Sequence, residues 1–77
     1  MREPFGQRLQ RLRNDRGVLR YKVSQQTGLS QSLLMHLERL KRGRNVHAGT
    51  IERLANFYLV QMEFLLGPPD EEEAHVA

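Results

Sequence analysis

Gln31, Ser32, Leu33 and His36 fall within one short stretch and offer an amide, a hydroxyl, a branched apolar group and an imidazole. A carboxamide presents a donor beside an acceptor, which matches the N7 acceptor and N6–H donor on the major-groove edge of adenine. A serine hydroxyl pairs with either kind of base edge, and a leucine side chain suits the thymine methyl. His36 can donate to guanine N7 or O6, or to a phosphate when protonated. Nearby stand Arg20, Tyr21, Ser30, Arg39, Lys41, Arg42 and Arg44. Such side chains donate to phosphate oxygens and set register on a duplex without reading its sequence. The set suits recognition of double-stranded DNA. The plainer alternatives are polar residues at an ordinary helix start and a solvated basic loop at 39–44.

Bond-making chemistry finds no support. There is no cysteine, no glycine-rich phosphate loop and no G-x-S-x-G. His36, His47 and His75 lie in three separate segments without ligand spacing. The acids at 70–73 sit in a terminal run that cannot hold two carboxylates in fixed geometry. We therefore expect no enzyme activity, no metal site and no cofactor.

Base-reading side chains need a helix start held at a fixed angle, and residues 23–38 supply the elements. They read as two short helices joined by a tight turn. Gly28 stands where the first must stop, since glycine tolerates the left-handed backbone of such a turn. Leu29 follows as an apolar plug, and Ser30 is a good N-cap for the second helix. Val23, Leu29, Leu34 and Leu37 form one inward face, and the small Ser24 suits a close helix crossing. Gln31, Ser32, Leu33, His36 and Arg39 are left pointing outward. These features make a helix-turn-helix signature.

With T-G-L-S at 27–30, L-x-x-L-E ending at Glu38 and I-E-R-L-A at 51–55, the chain resembles the Cro/phage-repressor type, or xenobiotic-response-element, helix-turn-helix family over roughly residues 5–66. The resemblance implies an all-α fold: a compact five-helix, lambda-repressor-like domain with the motif at helices 2 and 3. It implies that Gln31 reads a base and that Arg13 pairs with Glu38, tying helix 1 to the motif. Losing one partner of such a partly buried pair should cost about 3–5 kcal/mol. Three departures stand out. Leu19 replaces the family's usual Ser or Thr cap, and Arg20 replaces a Gln that often touches phosphate. Arg39-Leu40-Lys41-Arg42 intervene before Gly43, where the family usually ends its helix sooner. Either helix 3 gains half a turn or the loop lengthens.

The remaining elements follow from spacing and breakers. Phe5, Leu9 and Leu12 repeat at helical spacing, which predicts helix 1 at 4–16, with Arg8, Arg11 and Arg16 solvated. Helix 2 is expected at 20–27. Tyr21 and Lys22 are either backbone donors or simply exposed. Asn45 and His47 are alternative caps for helix 4 at 48–58, which buries Ile51, Leu54, Ala55 and Tyr58. Helix 5 is expected at 61–66 and stopped by Gly67-Pro68-Pro69. Residues 1–67 then form the DNA-binding domain and 68–77 an acidic, disordered tail, which either aids solubility or mimics phosphate.

Charge fits a polyanion partner. The chain of 77 residues carries twelve Lys/Arg and nine Asp/Glu. Eleven of the bases precede residue 46, while four of the acids fall at 70–73. No apolar run reaches membrane-spanning length, no signal-peptide core is present and no disulfide is possible, so a cytoplasmic protein without a membrane partner is expected. A chain this small buries only about 60% of its unfolded surface. A homodimer is expected, with Phe57, Val60 and Phe64 as candidate contacts, on a pseudo-palindrome with half-sites about 34 Å apart. The expected role is a transcriptional regulator, and more specifically a repressor. Two rivals remain: an antitoxin that also binds a toxin, and a protein-interaction module without DNA binding. Leu33, Met35 and Leu40, large apolar residues near the outward face, favour the second rival.

Overall fold

The structure, a computed structural model, describes residues 3–67. Five helices follow in order: α1 Phe5–Asp15, α2 Arg20–Thr27, α3 Gln31–Leu37, α4 Ala48–Tyr58 and α5 Met62–Leu66. No strand occurs among the described residues. The expected tail at 68–77 lies outside them. None of the helices is long and apolar enough to cross a membrane.

Each end has a local cause. Gly17 (φ +63°) and Gly28 (φ +78°) take the left-handed backbone that stops α1 and α2. The Thr27 hydroxyl donates to the Val23 carbonyl at 2.7 Å and accepts from the Leu29 N–H at 3.2 Å. That doubles the fixing of the turn. Ser30 caps α3 by accepting the Leu33 N–H at 3.0 Å. Of the two alternatives for α4, His47 is the cap, its Nδ1 accepting from the Gly49 N–H at 3.1 Å. Leu19 gives α2 no side-chain cap.

The helices close around one core. α2 packs on α3 and α4, α4 on α5, and α1 on α3 and α5. Phe5, Leu9 and Leu12 of α1 meet Val23, Leu34 and Leu37 of the motif, and Ile51, Leu54, Ala55 and Tyr58 of α4 complete the interior with Leu65. α1 reaches α3 through Gly6. A methyl group there would run into the backbone of Glu38 and lie 2.8 Å from the Leu37 carbonyl oxygen.

Two expectations are settled by packing. Helix 3 is not extended: it ends at Leu37, so the residues before Gly43 lengthen the loop. The longer loop holds the start of α1. Pro4 offers no cap, and the Lys41 and Leu40 carbonyls instead accept the Phe5 and Gly6 N–H groups at 2.9 and 2.7 Å. Gly43 is buried under the Phe5 ring, which would lie 2.5 Å from a Cβ added there. The second concerns Arg8, which is buried rather than solvated, at 8% exposure. Its Nη1 donates to the Leu65 carbonyl at 3.0 Å and its Nη2 to the Glu3 carbonyl at 3.1 Å. Arg11 is exposed and forms a two-pronged pair with Glu3 at 2.8 and 2.9 Å. The Arg11 hydrogen bond holds the Glu3 carboxyl below its ordinary range. Arg16 is exposed too, with its guanidinium 5.8 Å from the Tyr58 ring centroid.

Candidate nucleic-acid interface

The start of α3 is presented to solvent by the turn behind it. Gly28 reverses the chain, Leu29 is buried as the plug, and Ser30 fixes the first turn. Gln31, Ser32 and His36 are exposed on the resulting face, together with Met35. Leu33 is half-buried and packs against the core, so only part of its side chain remains for an outside contact. The Ser30 oxygen is engaged by the Leu33 N–H, yet its hydroxyl hydrogen is still able to donate.

Exposed basic side chains are carried by the loop that leaves α3 and by the start of α2. Arg39 and Lys41 are exposed on the loop that leaves α3. Arg42 and Arg44 are exposed on the same loop, and each makes an interaction within the molecule. Tyr21 and Lys22 are exposed at the start of α2.

Arg20 is more constrained than its neighbours. Its Nε donates to Glu38 Oε1 at 3.2 Å. The same carboxylate takes a fork from Arg13, with Nε to Oε2 at 2.8 Å and Nη2 to Oε1 at 3.2 Å. Arg13 also donates from Nη1 to the Val18 carbonyl at 3.1 Å. The Glu38 and Arg13 side chains are 8% and 11% exposed, and that of Arg20 is 36% exposed. The hydrogen bond to Glu38 raises the Arg13 pKa further above its ordinary value. Nearby, burial and the Glu38 charge push the Tyr58 phenol up to about 12. Two guanidinium groups around one carboxylate leave the cluster one positive charge in excess, and its exposed member is Arg20.

Arg53 of α4 escaped the sequence reading. Its Nη1 donates to the Thr27 carbonyl at 3.3 Å, a cation against the carbonyl end of α2 where the helix dipole favours it. Arg53 and Thr27 line a shallow open groove with Gln26, Asn56 and Phe57. No local signal marks Arg53, because only the packing of α4 on α2 brings it there. Among the described residues no group of His, Cys, Asp and Glu is arranged to hold a metal ion.

No curated protein sequence matches the chain. A family model described as a helix-turn-helix domain matches residues 4–63. That span begins at Pro4, before α1, ends inside α5 and contains the whole α2–turn–α3 unit. The chain therefore belongs to the helix-turn-helix domain family, in keeping with its likeness to the Cro/phage-repressor type.

Proposed function

We propose that this chain is a sequence-specific, double-stranded DNA-binding transcriptional regulator, a repressor that works as a homodimer on a pseudo-palindromic operator. Membership of the helix-turn-helix family supports a DNA-binding regulator. The observation that carries the finer reading is the exposed Gln31-Ser32 pair on the first turn of α3, in line with His36 and followed along the chain by the exposed bases of the 39–44 loop. Gln31 and Ser32 read bases, with His36 one turn on and Leu33 giving a partial apolar contact. Arg20, Tyr21, Ser30, Arg39, Lys41, Arg42 and Arg44 hold phosphates. Such a regulator acts where the DNA is, in the cytoplasm.

The C-terminal end supports self-association. Leu59 is 88% exposed in left-handed backbone (φ +58°), and Phe64 and Leu66 are exposed nearby in sequence. Phe57 and Val60 are half-buried against the core, which makes them supports of that surface more than its contact points.

Selection from a random duplex library, followed by anisotropy titration of the selected sites, tests this reading. Enrichment of a two-fold site is expected. Gln31→Ala should relax preference at one symmetric position, with a loss of discrimination of about 1–3 kcal/mol per contact. A second reading, protein docking on this face, draws on the exposure of Leu19, Tyr21 and Met35. No duplex binding at any salt concentration would favour it.

A further inference from the structure

We propose that Glu38 is a positioning residue for DNA binding: by taking Arg20 Nε on the carboxylate that also clamps Arg13, it aims the outer edge of the Arg20 guanidinium at a backbone phosphate. The proposal rests on the DNA-binding reading above and adds a role to a residue otherwise explained by the fold.

The geometry separates the two arginines. Arg13 is almost fully buried and gives Nε, Nη1 and Nη2 to Glu38 and Val18. Its two other N–H groups belong to a side chain only 11% exposed, so little of it can meet a ligand. Arg20 gives Glu38 its Nε alone. A guanidinium has five N–H donors in one plane, so fixing the Nε edge fixes the direction of the others. Its side chain is 36% exposed, against 8% for Glu38. Glu38 thus anchors Arg20 on its more buried side, and part of the Arg20 side chain stays open to solvent.

Glu38 also occupies a telling place. It is the C-terminal cap residue of α3, while Arg20 is the first residue of α2 and Arg13 belongs to α1. One carboxylate therefore ties a phosphate contact on α2 to the end of the helix that presents Gln31. Register on the backbone and position of the base-reading side chains are set by the same group. A lysine at 20 would keep the charge but lose the plane, since an ammonium is a freely rotating point charge without a fork.

The test uses the full chain and a fluorescein-labelled random-sequence DNA duplex, because phosphate contacts do not require the operator. Arg20→Ala should weaken binding about tenfold and lower the slope of log affinity against log salt by about 1 per subunit. Arg20→Lys should recover little of the affinity. Both variants leave the Arg13–Glu38 pair intact and should melt within a few degrees of wild type. Glu38→Gln should weaken binding in the wild-type background and have under about a twofold effect when Arg20 is already alanine. Full affinity in Arg20→Lys would overturn the proposal, because a mobile charge would then suffice. So would an equal loss from Glu38→Gln in both backgrounds, which would place the effect in the fold through Arg13. If Glu38→Gln does not fold, the Arg20 pair decides alone. Unchanged binding in the Arg20 variants removes this proposal and leaves DNA recognition standing; absence of wild-type binding removes both.

Discussion

At the scale of single residues, Tyr58 shows how a helical protein of this size couples its core to solution pH. The side chain is 4% exposed, and its ring meets Phe57 edge-on at 4.9 Å. Burial first, then the Glu38 charge, pushes the phenol up to about 12 from an ordinary 10. Between those values the unfolded chain has lost a proton that the folded chain keeps. The native state then binds more protons, so its stability falls as pH rises. The contribution is complete below about pH 10 and is lost as pH climbs through about 12, up to about 3 kcal/mol if the shift is fully expressed. Urea midpoints measured near pH 9 and near pH 11.5 check this. The wild-type midpoint should drop, and Tyr58→Phe should drop far less; parallel drops would show that the phenol is not the group responsible. The burial of Tyr58 was legible from its spacing with Ile51, Leu54 and Ala55. Its electrostatic surroundings were not, because Glu38 and Arg16 arrive from other elements.

At the scale of elements, Arg8 decides how α5 is held. α5 is five residues long and could not stand alone in water. Leu65 is fully buried against the core, and its carbonyl takes a charged donor from α1. A hydrogen bond to a charged group contributes about 1.5–3 kcal/mol. Arg8→Met keeps most of the aliphatic stem and removes the donor, so it should cost about 2 kcal/mol by chemical denaturation. Arg11→Met removes an exposed surface pair with Glu3 and should cost far less. Equal effects at the two positions would contradict the buried role of Arg8. The sequence held a signal for it that composition hides. Positions 5, 8, 9 and 12 form the i, i+3, i+4, i+7 stripe of an amphipathic helix, so an arginine at 8 lies on the inward face with Phe5, Leu9 and Leu12. By contrast, the motif itself was readable almost residue by residue. Its turn glycine, Ser cap and apolar plug each act over a few positions. The loop at 38–47 was not, because its course follows from contacts with Phe5 and Gly6 at the other end of the chain.

At the scale of the whole molecule, the count of bases overstates the charge available to a polyanion. Arg8, Arg11 and Arg13 are engaged with Leu65, Glu3 and Glu38, and Arg16 lies over Tyr58. Under the proposed function the phosphate-facing cations of one subunit are Arg20, Arg39, Lys41, Arg42 and Arg44. Each phosphate neutralised changes the slope of log affinity against log salt by about −0.9. One subunit should then give a slope near −4.5 and a dimer on a two-fold site near −9, so the slope reports the stoichiometry of the complex. Arg39→Gln and Lys41→Gln should each make a dimer's slope shallower by about 2, one contact per subunit. Arg11→Met should leave it unchanged, because the Glu3 carboxylate takes two donors of that side chain and offsets its charge. Anisotropy titrations on a selected two-fold site, from low to near-physiological salt, give all of these slopes. A value near −4.5 with one subunit per site, measured by sedimentation, would rule out the dimer while keeping the interface. A shallow slope insensitive to the loop substitutions would instead remove the 39–44 cations from the DNA and leave the longer loop only its role in holding the start of α1.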